Sequence, residues 1–521
     1  MCSGIDLFNC ASKRSWGMGW PLSLFYITAL THRAFSYSPS QLDEAQIALR
    51  LKRPSHESAL PVPNATHSFW INTPGANPLA KEGSEGELTR DSDICIIGSG
   101  ITGVSAAYHL AKHFDHRKDS SARQTKVVIV DARDFCSGAT GRNGGHLTPN
   151  LFLDFEKHQL QHGSDEARRI YALENYTVAE LVNLIQTEKL NDAVDFVSGG
   201  HVAVYVGEVE VKKAKSDSSA ARTAGMDLNE VEWLDKDIMH ETYGTPHPGF
   251  RYPGHNLWPL KLVTALYNLT VRRNPLRFSL KLHTNTPVTS MRASHNPSRR
   301  WELSTPRGSI GCSYVIHATN AYASHLLPHM HGEDGIIPTR SQIIALRADA
   351  PPADLTQVSW GSGDEYWFPR PLQDGDKHPL VLLGGGRLSV PGHEYYVSDD
   401  STTNPFIGKL LREFLPGMFP GMYEKGREPE MEWTGIMGFT KLEAPFVGPV
   451  VDHSNYYSSL KEYDGQYIAA GYTGHGMPRA YACAEVVATM IVANITGETW
   501  TLPNWLPRHY LTTSRDAESL D

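Results

Sequence analysis

Three glycines spaced G-x-G-x-x-G, in the stretch Gly98-Ser99-Gly100-Ile101-Thr102-Gly103, stand where a short apolar run ends and a helical pattern begins. The run, Asp93-Ile94-Cys95-Ile96-Ile97, predicts a strand buried on both faces, as in a parallel sheet. Ala106, Ala107, Leu110 and Ala111 fall on one face of a helix predicted from Thr102 to Phe114. Lys126 to Val130 predicts a second buried strand. Strand, glycine turn, helix and strand in that order specify a βαβ unit. Gly98 permits the tight turn, Gly100 lets a pyrophosphate approach the backbone, and Gly103 lets the helix pack on the strand. Free N–H groups at the helix start then face the phosphates.

Asp131 ends the second strand, where a carboxylate can accept hydrogen bonds from a ribose diol. A polar insertion, residues 115–125, lengthens the distance between Gly103 and this acid. Such a unit serves NAD as well as FAD. Two further segments bear on the choice. Cys136-Ser137-Gly138-Ala139-Thr140-Gly141-Arg142-Asn143-Gly144-Gly145-His146 is a second glycine-rich loop just past Asp131. Its backbone can run beside a long cofactor, with Arg142 at the pyrophosphate. Gly471-Tyr472-Thr473-Gly474-His475-Gly476 again follows an apolar run, Tyr467 to Ala470, and opens a helix that runs from Met477 to Thr496. Two such junctions, far apart in the chain, predict one domain assembled from both ends.

With 521 residues, the chain is long enough for two or three domains. A net charge of -9 and the lack of a long basic run argue against nucleic acid. The six cysteines (Cys2, Cys10, Cys95, Cys136, Cys312 and Cys483) show no C-x-x-C spacing, so neither a zinc site nor a disulfide framework is expected. His109 and His113 stand i, i+4 on the predicted helix but lack a third ligand, and no metal is expected. Lys13 and Arg14 before the apolar stretch Trp16 to Leu30 outline a targeting leader, the alternative to a cytoplasmic protein with a loose N-terminus. A membrane partner is not expected.

The segments DSDICIIGSGITGVSAAYHLA, VVIVDARDFCSGATGRNGGHL, YVIHATNAYASHLLP, EWTGIMGFTKLEAPFVGP and YIAAGYTGHGMPRAYACAEVVA resemble the D-amino-acid oxidase-like FAD-dependent oxidoreductases. The block SGATGRNGGHL is most similar to a gamma-glutamylputrescine oxidase branch with fungal relatives. The resemblance spans roughly residues 60–505 and implies bound FAD. It implies an α/β fold: a Rossmann-like FAD-binding domain built from both ends of the chain, plus a mixed-sheet α+β substrate domain. It further implies oxidation of an amine or amino acid by hydride transfer, hydrolysis of the imine, and commonly oxygen as acceptor. Sarcosine oxidases attach FAD through a cysteine where this chain has Ile436 to Thr440, with Met437 nearest; non-covalent FAD is therefore expected. Their oxygen-activating lysine falls where this chain reads Leu383-Gly384-Gly385-Gly386-Arg387. The alternatives are action on another C–N or C–O bond of a secondary metabolite, and a flavin-bearing assembly factor.

The expected organisation is a poorly ordered leader (1–60), an extended lead-in (61–90), FAD-binding segments 91–175, 256–335 and 431–505, substrate-domain segments 176–255 and 336–430, and a tail (506–521). The expected cofactor-binding residues are Gly98, Gly100, Ile101, Thr102, Gly103, Asp131, Ala132, Arg133, Thr140, Arg142, Asn143, Gly144, Gly145, Gly471, Gly474, Gly476 and Met477. For the chemistry of a small-molecule substrate, Tyr366 and Trp367 form an aromatic wall and Arg387 binds a carboxylate. His146 or His475 assists proton removal.

Overall fold

A computed structural model describes residues 58–115, 123–273, 276–350, 357–373 and 375–517. The leader expected over residues 1–60 lies almost wholly outside these residues, as do Cys2 and Cys10 and most of the 115–125 insertion. The run from Ile94 to Ile97 is a strand with all four side chains buried. It pairs in parallel with Tyr314–His317 on one side and Thr125–Val130 on the other. The full sheet has six strands, in the order Phe446–Pro449, Gln466–Ala470, Tyr314–His317, Ile94–Ile97, Thr125–Val130, Phe278–His283, with only the first pair antiparallel. Strands from the early, middle and late chain thus share one sheet.

Successive side chains leave a strand on opposite faces, and here both faces are covered. Ile94, Ile96, Val127 and Ile129 pack beneath the helices Ile101–Asp115, Pro259–Val271 and Ala480–Thr496. Cys95, Ile97, Val128 and Val130 pack against Leu303, Ile310 and Cys312 of a three-stranded antiparallel sheet. The last helix starts at Ala480 rather than Met477.

The second sheet has eight strands, in the order Met431–Phe439, Ile337–Arg347, Leu380–Gly385, Glu365–Pro369, Ser359–Ser362, His201–Val204, Gly249–Tyr252, Glu232–Leu234. All neighbours are antiparallel except Ser359–Ser362 beside His201–Val204. The expected third FAD-binding segment, 431–505, therefore opens with a strand hydrogen-bonded into the eight-stranded sheet. One face of this sheet lies on the helix Pro405–Met418, through Ile407, Leu411 and Leu415. That helix begins with Pro405 at its first position, and the Asn404 side chain accepts from the Phe406 and Ile407 amides.

Two further segments depart from expectation. The lead-in contributes the helical turn Phe69–Asn72, whose Trp70 is fully buried, so it is part of the core and not a surface strap. In the expected tail, Leu506 and Tyr510 are buried and Leu511 bridges to Val447. The long helix Phe155–Thr187 changes direction at Gly163, where φ is 79° and ψ is 164°.

Candidate functional site

The glycine turn is held by contacts no side chain would allow. Gly98 has φ +111°, and a Cβ there would lie 2.5 Å from the Ala318 carbonyl oxygen. A Cβ on Gly103 would lie 1.9 Å from the Gly98 carbonyl oxygen. Gly100 differs: the nearest atom to a Cβ there is the Thr140 hydroxyl at 3.1 Å, and the rest of its surroundings is open. The first turn and the second strand are tied by Asp131. Its Oδ2 accepts from the Ser99 amide (2.8 Å) and hydroxyl (2.6 Å), and its Oδ1 from the Arg133 amide (2.9 Å). Burial raises this carboxyl, against the pull of those donors. Lone pairs remain on both oxygens for a further donor.

From this turn a cavity of about 710 Å³ runs to the face of the eight-stranded sheet. Gly98, Gly100, Ile101, Thr102, Asp131, Ala132, Arg133, Thr140, Arg142, Asn143, Gly144, Gly474, Gly476 and Met477 all line it, so the structure brings both glycine junctions to one space. The Thr102 and Tyr472 hydroxyls meet at 2.9 Å and join the two. Gly103, Gly145 and Gly471 do not line the cavity. Each is a close-packing glycine: a Cβ on Gly145 would lie 2.8 Å from the Trp70 ring, and one on Gly471 2.7 Å from Thr440. An open cradle at Gly100, helix N–H groups behind it and an acid at the strand end fit the adenosine and pyrophosphate half of FAD.

Arg142 lines the cavity, and two of its three guanidinium nitrogens are tied to the chain: Nε donates to the Ser137 carbonyl (2.9 Å), and Nη1 to those of Thr66 (2.8 Å) and Thr434 (3.0 Å). Asp400, fully buried, lies 3.5 Å from Arg142 and accepts from Arg133 Nη1 at 2.9 and 3.0 Å. The two arginines thus fasten the second glycine loop to distant segments. Asp400 and Thr66 escaped the sequence reading, because nothing local marks partners 267 and 76 residues away.

On the far wall, Tyr366 lies directly over Gly144, where a Cβ would fall 2.2 Å from its ring. Trp367 faces the other way. It stacks on Trp360 (5.7 Å) and meets Phe414 and Phe419, as the two-residue period of the strand requires, and so takes no part in the cavity wall. His146 stands 5.2 Å from the Tyr366 ring; its Nδ1 is 3.4 Å from the Gly144 carbonyl and its Nε2 is buried without a partner. Burial pushes this imidazole down to about 4. Arg387 lies over the Phe439 ring (4.6 Å) and 3.6 Å from Asp364, while its Nη1 is buried and unpartnered. His475 is half-exposed, 3.6 Å from the fully buried Glu174, which Arg479 also binds at 2.7 Å. Glu365 was missed. It lines the cavity, and burial, reinforced by neighbouring Asp364, pushes its carboxyl up to about 8.

His109 packs edge-on against Tyr481 (4.4 Å), and burial pushes it down to about 3. Among the described residues no group of three or more His, Cys, Asp or Glu side chains is placed to hold a metal ion, and no helix is long and apolar enough to cross a membrane.

Comparison with known proteins gives a consistent picture. A family model described as FAD dependent oxidoreductase matches residues 93–490. Gamma-glutamylputrescine oxidoreductase of Escherichia coli is 24% identical over 408 residues, covering 77% of this chain and 83% of that one. Glycine oxidase of Bacillus licheniformis is 22% identical over 414 residues, covering 78% and 95%. Among solved structures, L-proline dehydrogenase from P. horikoshii shares the fold with a TM-score of 0.58 at 20% identity, covering 81% of this chain and 98% of that one.

Proposed function

The chain belongs to the family of FAD dependent oxidoreductases, and on that premise we propose that it oxidises a carboxylate-bearing amine at the carbon attached to nitrogen. Bound FAD supplies the two-electron acceptor for the hydride leaving that carbon. The observation that carries the substrate reading is Arg387. A guanidinium whose buried Nη1 has no partner, on the cavity wall, is an anchor for a carboxylate, which it binds with a charge-assisted hydrogen bond. Two relatives in this family, a glycine oxidase and a gamma-glutamylputrescine oxidoreductase, are named for amine substrates.

Only a neutral amine pushes electron density toward a breaking C–H bond, so the substrate ammonium must lose a proton. An imidazole held at about 4 is a poor acceptor for that proton. His146 is therefore assigned to positioning: its neutral ring, with a free Nε2, supports Tyr366 and offers a hydrogen bond. The proton is therefore lost to water before the amine docks, and the neutral form is the one that binds. Tyr366 closes the space above Gly144 and excludes water from the reacting carbon. FAD is held without a covalent bond, a reading supported by the lack of any cysteine among the residues lining the cavity. Acid precipitation should leave the yellow colour in the supernatant, and colour in the pellet would point to His146.

The test is stopped-flow flavin reduction under nitrogen with primary amines, secondary amines, amino acids and matched alcohols. Amines with a carboxylate should bleach the flavin fastest. The rate should rise with pH as the substrate ammonium gives up its proton. Reduction by the alcohols alone would overturn the proposal.

A further inference from the structure

We infer that the cavity holds a second polar subsite, built by Asn150, His158 and Tyr205, that takes a neutral carboxamide-like tail of the substrate. The substrate is then an extended amine with a carboxylate at one end and an amide-type group at the other. This inference rests on the reading of Arg387 as the carboxylate anchor.

The wall leading away from Tyr366 is a row of rings. Tyr366 and His146 lie 5.2 Å apart, His146 and His201 5.9 Å, and His201 and Tyr252 5.0 Å. All four line the cavity. The row carries no charge near neutral pH: burial depresses both imidazoles, and it raises both phenols. A surface of this kind suits an uncharged chain laid along it.

At the end of the row, residues 150–158 turn back over the sheet. Phe152 packs on Phe250 at 5.0 Å, and Tyr205 lies 6.0 Å from the same ring. Asn150 is fixed in place: its amide N–H donates to Glu174 Oε2 (2.6 Å) and its Nδ2 to the Leu153 carbonyl (3.3 Å). Its Oδ1 has no partner, and neither has His158 Nδ1 nor the Tyr205 hydroxyl, although all three atoms are buried. All three residues line the cavity. An unpaired buried polar atom is destabilising, and three of them on residues that line one cavity mark a site for an external partner.

The charges around this end bear on the character of the partner. Glu174 is bound by Arg479, Asp154 by Lys213 and Glu443 by Lys157, while Asp217 accepts from the Asp154 and Glu156 amides and Glu210 from the Gly207 amide. A carboxylate tail would meet the last two carboxylates, and an ammonium tail offers the Tyr205 hydroxyl no acceptor. A carboxamide offers a donor pair for the Asn150 oxygen and an acceptor for the Tyr205 hydroxyl without adding charge.

The experiment uses the full-length, FAD-loaded protein under nitrogen and acids that lack an amine beside the carboxylate, so that binding is separated from turnover. The probes are propanoate, straight-chain alkanoates of about five to eight carbons, and the ω-carbamoyl and ω-ammonium acids of the same lengths. Calorimetry and perturbation of the flavin absorption report the Kd. One length of ω-carbamoyl acid should bind about tenfold tighter than the matching alkanoate, the gain of one or two hydrogen bonds. Asn150→Ala and Tyr205→Phe should each remove most of that preference, while the Kd of propanoate stays within about twofold, which also certifies that the variants are folded. Equal binding of carbamoyl acids and alkanoates, or a preference for ω-ammonium acids, overturns the subsite. Failure of every carboxylate to bind overturns instead the Arg387 reading beneath it.

Discussion

The two walls of the cavity treat their polar groups in opposite ways. On the glycine-turn side the charged groups are bound by the chain itself: Asp131 by Ser99 and Arg133, and Arg133 and Arg142 by Asp400 and by carbonyls. On the side of the eight-stranded sheet, Arg387 Nη1, His146 Nε2, Asn150 Oδ1 and the Tyr205 hydroxyl are left unpaired. A satisfied wall holds its shape whether or not it is filled, which suits a cofactor resident for the life of the protein. An unsatisfied wall gains most when a ligand arrives, which suits a substrate that must be selected.

The sharpest break of the cofactor wall is Gly103→Ala. Its Cβ would fall 1.9 Å from the Gly98 carbonyl oxygen, so the protein should fail to accumulate in soluble form. Gly100→Ala meets only the Thr140 hydroxyl, at 3.1 Å. It should fold with a near-normal melting temperature yet lose yellow colour on gel filtration, because the methyl occupies the phosphate approach. Equal damage from both changes would dissolve the distinction between packing and cradle glycines.

Next in size is Glu174→Gln, which leaves Arg479 buried and short of its counter-charge; the expected loss is about 3–5 kcal/mol in urea unfolding. Arg479, His475 and the Asn150 amide, in that order, hold the Glu174 carboxyl down at about 2, against burial. The wild-type advantage should therefore be complete above pH 4.5 and shrink as pH falls toward about 2. On the substrate wall, Arg387→Met should weaken binding of carboxylates about 10- to 100-fold in flavin titrations, with the melting temperature little changed. The smallest effect concerns Glu365. Its raised pKa means that the unfolded chain gives up this proton first, so stability falls from pH 4.5 up to about 8 and is level beyond. Glu365→Gln should match wild type below pH 4.5 and melt roughly 2–4 °C higher at pH 9 by calorimetry.

The same contrast explains what the sequence disclosed. The βαβ unit was legible because periodicity, glycine spacing and a strand-end acid are local signals. The joining of Gly98–Gly103 with Gly471–Gly476 followed from their shared form. The ties of Arg142 to Thr66, Asp400 and Thr434 were not legible, because no local pattern connects these residues to it. Trp367 was misplaced although alternation along Glu365–Pro369 predicts that it and Tyr366 face apart. Glu365 and the group at Asn150, His158 and Tyr205 owe their character to burial, which a single sequence does not display.

The fastening of Arg142 to Thr434 has a bearing on how the protein is made. The two residues lie 292 positions apart, so the second glycine loop can take its final form only after Thr434 has left the ribosome. At a synthesis rate of about 5–20 residues per second, that is roughly 15–60 s after Arg142 itself is joined to the chain. Strand Gln466–Ala470 arrives later still, and the sheet edge at Tyr314–His317 waits for it. For that interval the nascent chain presents an open cofactor loop and an unpaired parallel edge, so the moment at which it can first retain FAD is set by its last hundred residues.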